Sequence, residues 1–166
     1  KRGTLTMAGL PLTPHEIAKR ALAQAPAKTK ALAAQNSQRV SILCYHRVDD
    51  RLKDNVTLGL EQFDQQIALL KRHYQVVRAD AIVRGQIDRS GDRPIVAVTF
   101  DDGYLDNYSN AYPILKKHGV PATFFVSTGI VDTDREFQHD IDKNVRGLPN
   151  MSWDQIRELH AEGHEI

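Results

Sequence analysis

The chain has 166 residues, 41% of them hydrophobic and 26% charged, enough for one compact domain and without the compositional marks of disorder. Its formal net charge of +1 conceals an asymmetry: residues 1 to 39 carry seven Lys/Arg against one acid, and the remainder is net acidic by five, so the globular part offers no basic footprint for nucleic acid. A single cysteine, Cys44, excludes an internal disulfide framework and a Cys-rich zinc site, and no window reaches the eighteen or more apolar residues of a membrane span.

Residues 1–38 read as a segment of their own, a basic helical leader or linker. Thr13-Pro14-His15-Glu16 is a helix start, with Thr13 as cap, Pro14 in the first helical position and Glu16 three residues after the cap. Pro26 interrupts it before a second alanine-rich piece, Lys28 to Gln35. A solvated linker is the favoured reading, and a basic arm that touches a membrane surface or a polyanion is the other. The first residue is Lys1 rather than Met, so the sequence is expected to begin inside a longer protein, a signal peptide being either removed or never present.

From residue 39 the pattern changes. Val40 to Tyr45 is expected to form the first core strand, with Cys44 as a small buried hydrophobe and His46 at the carboxyl end. A histidine there is either structural or lines a substrate cleft. Arg47 to Gly59 reads as a polar loop on that edge. Leu60, Phe63, Ile67 and Leu70 recur at spacings of three and four, which predicts a helix over Leu60 to His73. Tyr74 to Val77 follows as a strand, Ala79 to Arg84 as a helical turn closed by Gly85, and Ser90-Gly91-Asp92 as a loop.

Ile95-Val96-Ala97-Val98-Thr99-Phe100 is then a continuous apolar run that ends on Asp101-Asp102-Gly103-Tyr104. A run of this kind reads as a strand buried on both faces, as in a parallel sheet. Adjacent carboxylates beside a dry core lose hydration and repel one another unless a cation or hydrogen-bond donors compensate. Asp-Gly is also a common turn pair and could start the next helix, but Asp106-Asn107 offers its own cap for a helix over Tyr108 to His118, which Gly119 stops. Pro121 to Ser127 reads as the next strand. Residues 128–150 form an irregular, Asp-rich surface excursion without a calcium-loop pattern, within which His139-Asp140 either helps to line a cleft or, as the favoured reading, is a solvent-exposed pair. Ser152 or Asp154 begins a last helix through Glu162, with Ile156 and Leu159 facing the core, and His164-Glu165-Ile166 opens another strand. Alternating strands and helices imply a parallel α/β sheet, either doubly wound or a (β/α) barrel, with functional groups at the carboxyl ends of the strands.

Thr99-Phe100-Asp101-Asp102-Gly103, followed by Pro121-Ala122-Thr123-Phe124-Phe125-Val126, closely resembles the first motif region of the NodB-type polysaccharide deacetylases, the fourth carbohydrate esterase family. Ser41-Ile42-Leu43-Cys44-Tyr45-His46-Arg47-Val48 is similar to the Tyr-His strand of the branch that de-N-acetylates poly-N-acetylglucosamine, and residues 151–166 are similar to the helix leading into the family's second motif. The resemblance spans roughly residues 40 to 166. It implies a partial (β/α) barrel, incomplete at the C-terminus, and a metal-dependent hydrolase that removes N-acetyl groups from amino sugars of a polysaccharide of the poly-N-acetylglucosamine, chitin or peptidoglycan type. A divalent metal, with zinc expected, suits that reaction because it lowers the pKa of water from about 15.7 to about 7 and polarises the carbonyl, while a carboxylate takes the proton. The resemblance assigns Asp101 as the catalytic base and Asp102 as a metal ligand, with Gly103 and Tyr104 in the tight loop beneath the substrate, while the place of His46 on the same sheet edge gives it a substrate-lining role. It also implies a periplasmic, cell-envelope or secreted setting.

The family's His-Ser/Thr-x-x-His ligands would follow a segment like Gly163 to Ile166, so the 166 residues alone are expected to bind metal weakly and to lack activity. His164 occupies only the lead-in position. A carbohydrate-binding domain of the same fold that has lost the metal is the alternative. A phosphoacceptor or nucleotide-binding α/β domain would want a glycine-rich phosphate loop or a later lysine, and neither is evident.

Overall fold

The computed structural model describes residues 40–91 and 93–166; the helices expected within 1–38 lie outside the described residues. In chain order the elements are β1 (Val40–Tyr45), β2 (Arg47–Val48), β3 (Thr57–Leu58), α1 (Leu60–His73), β4 (Gln75–Val77), α2 (Ala79–Val83) and β5 (Ile95–Phe100). A π-helical turn (Asn107–Ala111) then runs into α3 (Tyr112–His118), and β6 (Thr123–Phe124), α4 (Gln138–Asp142) and α5 (Trp153–Ala161) complete the chain.

β5 is the centre of the sheet because all six of its residues are apolar or Thr and can be buried on both faces, as they are. β1 lies parallel along one side of it, Val40 opposite Ile95 through Tyr45 opposite Phe100. The other side is shared: β4 pairs with Ile95 to Ala97, and β6 pairs with Thr99 and Phe100. All these pairings are parallel, and no closed barrel forms among the described residues.

The helices cover one face. Phe63, Ile67 and Leu70 of α1 are buried there with Val96, Val98 and Phe100 of β5 and Leu115 of α3. Tyr45, Phe100 and Phe124 stack across the three neighbouring strands at 5.5 and 5.0 Å, and Phe63 meets Tyr45 edge-on at 5.2 Å. α1 lacks a capping side chain of its own at Gly59; instead Asp50 Oδ1 accepts from the Leu60 N–H at 2.9 Å. α3 ends on Gly119 at φ 57°, the left-handed conformation that glycine adopts most cheaply. Ser152 and Gln155 form a reciprocal capping box at the start of α5, which buries Ile156 and Leu159 as their spacing predicts.

Several expectations need correction. Cys44 is exposed, not buried, because strand alternation puts Leu43 and Tyr45 on the helix side and turns Ile42 and Cys44 to the other face. The stretch 47–59 is no simple polar loop: β2 and β3 pair in parallel within it, and Arg47, Val48 and Asp49 are buried. Asp106 makes no side-chain cap. It is buried, and its Oδ1 accepts from the Val48 N–H at 2.9 Å and from Asn107 Nδ2 at 3.0 Å. The strand expected over 121–127 shrinks to two residues, although Glu165 extends the pairing through a parallel bridge to Thr123. Asp140 is buried at 2% exposure, against the exposed pair expected of His139-Asp140, because the Arg47 guanidinium holds it inside.

Candidate functional site

At the carboxyl end of β5 the chain turns sharply. The Asp101 N–H donates to Tyr45 O at 2.9 Å, which prolongs the β1–β5 ladder by one bond. Asp102 and Gly103 then take positive φ values of 76° and 92°. Three hydrogen bonds to two segments pin this turn: Ser127 N–H donates to Asp102 O, Met151 N–H to Gly103 O, and Leu105 N–H to Pro149 O, at 3.1, 3.0 and 2.8 Å. Gly103 is required twice over, by its φ and because a Cβ would stand 2.9 Å from Val126 Cγ1.

The turn forms one wall of a cleft of about 340 Å³ lined by His46, Val56, Asp102, Tyr104, His139 and Lys143. Asp102 Oδ2 is buried in that wall without a hydrogen-bond partner. Burial pushes the carboxyl's pKa up, with Asp101 and Asp140 adding to the rise, while His46 and His139 oppose it. A buried carboxylate oxygen left unpaired costs free energy in the absence of a counter-charge, so the arrangement fits a divalent cation at this atom. Asp101 lies beside it, its Oδ2 accepting from Cys44 Sγ at 3.1 Å. Partial burial, with Asp101 close by, pushes the Cys44 thiol up to about 11.

His46 reaches the cleft because β1 ends one residue earlier, and its backbone is fixed by Asn107 Nδ2, which donates to His46 O at 2.8 Å. Asn110 Nδ2 does the same for Val48 O at 2.8 Å, so the π-helical turn clamps the segment carrying His46. Tyr104 is buried, and its hydroxyl is already committed, donating to Asp140 Oδ2 at 2.5 Å and lying 3.0 Å from His139 Nε2. Burial and Asp140 push that phenol far above its ordinary value. Behind it, Arg47 donates from Nη1 to Asp140 Oδ1 at 2.6 Å, from Nη2 to Asp54 Oδ2 at 2.7 Å and from Nε to Thr57 Oγ1 at 3.0 Å, with its guanidinium carbon 5.2 Å from the centre of the Tyr104 ring.

The five residues singled out from sequence fall at one sheet edge: His46, Asp102 and Tyr104 line the cleft, Gly103 shapes its turn, and Asp101 sits alongside. Arg47, Asn107, the Cys44–Asp101 contact and the pairing of Asp140 with Arg47 and Tyr104 are not foreseen from the sequence. The local signal for Arg47 and Asp140 is only that each follows a histidine, which does not reveal a partner 93 residues away. His164 is buried and structural: its Nδ1 accepts from the Ala122 N–H at 3.1 Å, and burial pushes its pKa down.

The described residues thus form a parallel sheet with an acid pair at the end of its central strand, in the wall of a cleft. Residues 88–166 match the sequence model of the polysaccharide deacetylases. Among curated proteins, the chain is 30% identical over 110 residues to the poly-beta-1,6-N-acetyl-D-glucosamine N-deacetylase of Staphylococcus aureus, covering 66% of this chain and 35% of that protein. It is 26% identical over 137 residues to YxkH of Bacillus subtilis, covering 81% of this chain and 43% of that protein; it thus spans less than half the length of either. Among solved structures it is similar to IcaB from Ammonifex degensii, with 32% identity and a TM-score of 0.61 over 76% of this chain and 50% of that one. It is also similar to the Streptococcus pyogenes deacetylase PplD in complex with acetate, with 26% identity and a TM-score of 0.59 over 76% and 54%.

Proposed function

We propose that this chain carries the acid-pair end of a metal-dependent hydrolase that removes N-acetyl groups from the amino sugars of a polysaccharide. Poly-N-acetylglucosamine is favoured over chitin and peptidoglycan, in keeping with the S. aureus relative. The single observation that carries this reading is the Asp102 Oδ2 atom, buried and unpaired in a cleft wall one residue after Asp101. Asp102 is the residue that would hold the divalent cation, zinc being the first candidate. When bound, the cation supplies Lewis acidity that polarises the amide carbonyl and lowers the pKa of water.

The protein's own residues do the rest. Asp101 accepts the proton of the attacking water, and its backbone bond to Tyr45 fixes its place in the sheet. Gly103 keeps the turn tight against Val126, which leaves room for the sugar above it. His46 meets the polymer from the β1 side of the cleft. Tyr104, held by Asp140, supports the His139 side of the wall from beneath the substrate. The substrate polymer implies a periplasmic, cell-envelope or secreted setting, and among the described residues no helix is long and apolar enough to cross a membrane. Residues 1–38 would be a basic leader or linker, and residues 39–166 the N-terminal part of the deacetylase domain.

One carboxylate oxygen falls short of the three or four protein ligands that zinc normally takes. The 166 residues are therefore expected to hold the cation weakly at Asp102 and to release no acetate. A longer protein that adds the histidines of the resembled second motif is expected to release acetate from poly-N-acetylglucosamine and to lose that activity on chelation. Retention of the polymer without acetate release, with or without added zinc, would instead mark a carbohydrate-binding domain of the same fold.

A further inference from the structure

We propose that Cys44, His46 and Asp101 form a cation site of their own at the carboxyl ends of β1 and β5, suited to a borderline-soft divalent cation of the zinc and cobalt type. It is separate from the Asp102 oxygen, and its binding rests on geometry rather than on the deacetylase reading. One ligand atom from each residue falls within 4.8 Å of the other two. Cys44 Sγ is 3.1 Å from Asp101 Oδ2 and 3.9 Å from His46 Nδ1. Zinc bonds of about 2.3 Å to sulfur and about 2.0–2.2 Å to nitrogen and oxygen put tetrahedral ligand atoms about 3.3–3.6 Å apart. The present separations straddle that range, so side-chain adjustments of about 1 Å close the site.

The scaffold favours this closure. Cys44 and His46 are two residues apart at the end of one strand, and the register that pairs Tyr45 with Phe100 carries Asp101 to the level of His46 on the next. The three side chains therefore stand on one side of the sheet at the end of a six-residue parallel ladder, Cys44 within it and His46 and Asp101 one residue beyond. Cys44 is exposed and both partners are only partly buried, so a cation can enter from solvent. The thiol is used by nothing in the proposed deacetylation. A bound cation deprotonates a coordinating thiol outright, and thiolate selects zinc and cobalt over magnesium and calcium, which prefer oxygen.

The experiment is a Co2+ titration of the 166-residue chain under anaerobic conditions, read by the thiolate-to-cobalt charge-transfer absorption in the near ultraviolet. The expected result is a saturable band at one equivalent that zinc displaces and magnesium does not. The band should be absent in Cys44→Ser, weakened at least tenfold in affinity in Asp101→Asn, and kept in Asp102→Asn. No band with the unmodified chain, or a band that survives Cys44→Ser or vanishes with Asp102→Asn, overturns the proposal. Cys44 is the chain's one cysteine, so alkylation supplies a second readout that needs no variant: zinc should slow modification of the thiol at least tenfold, and an unchanged rate would equally overturn the site.

Discussion

Asp102 carries two costs at once, a positive φ of 76° and a buried carboxylate oxygen with no hydrogen-bond partner. Asparagine tolerates the left-handed region at least as well and buries no charge. Asp102→Asn is therefore expected to stabilise the cation-free protein by about 1 kcal/mol, seen as a higher midpoint in chemical denaturation; a loss of stability would mean the oxygen is better satisfied than its surroundings indicate. Asp106 makes a second residue-scale prediction. Burial pushes its carboxyl up from 3.8 to about 6, so the folded state binds that proton more tightly than the unfolded state does. The stabilising contribution is complete below about pH 4 and is lost as pH rises through about 6. Asp106→Asn keeps an acceptor for the Val48 N–H and should remove about 1–3 kcal/mol of the decline in unfolding free energy between pH 4 and 7. An unchanged pH profile would show that another group sets it. Asp101 and Asp102 were legible as a costly pair from the sequence, whereas Asp106 looked like a helix cap because its partner, the Val48 N–H, lies 58 residues earlier.

At the scale of elements, the site is a turn at the end of β5 braced from outside the sheet. The brace is the Arg47–Asp140 pair, with both side chains 3% exposed or less. Removing one partner of a buried pair leaves the other uncompensated, so Asp140→Ala is expected to cost about 3–5 kcal/mol, read by thermal or chemical unfolding. A cost below about 1 kcal/mol would show that Asp54 alone satisfies Arg47. Gly103→Ala should cost about 1–3 kcal/mol from its φ and its approach to Val126, and should disturb the cleft wall it shares with Asp102. α1 and α5 were legible because their apolar spacing is helical and their buried faces need only one partner surface. β2, β3 and α4 were not: they are two to five residues long and carry no periodicity. What holds them is a buried Arg whose acids come from the stretch between β2 and β3 and from α4, 93 residues on.

Across the whole molecule, the parallel order follows from strands that are apolar on both faces and from helices long enough to cross back over the sheet. The burial of β5 and the alternation around it were readable in advance. The sharing of one β5 edge by β4 and β6 was not, since each contributes only two or three residues and register depends on the tertiary fit. The same arrangement brings His46, the acid pair and the thiol of Cys44 to one edge, where a cation at the Cys44 site would hold the carboxylate proposed as base. Excess zinc is accordingly expected to inhibit acetate release by the longer, active protein, and Cys44→Ser should require at least tenfold more zinc for the same inhibition; equal sensitivity of the two proteins would separate the inhibition from this site.

Asp102 is the residue on which the proposed chemistry depends most directly, and the decisive measurement is made on the longer, active protein: tightly bound zinc per chain and acetate release from poly-N-acetylglucosamine, for the unmodified protein and for Asp102→Asn. The predicted result is loss of most of the tightly bound zinc together with a fall in acetate release of at least a hundredfold, in a variant that remains folded. A folded Asp102→Asn protein that keeps its zinc and its turnover would contradict the account.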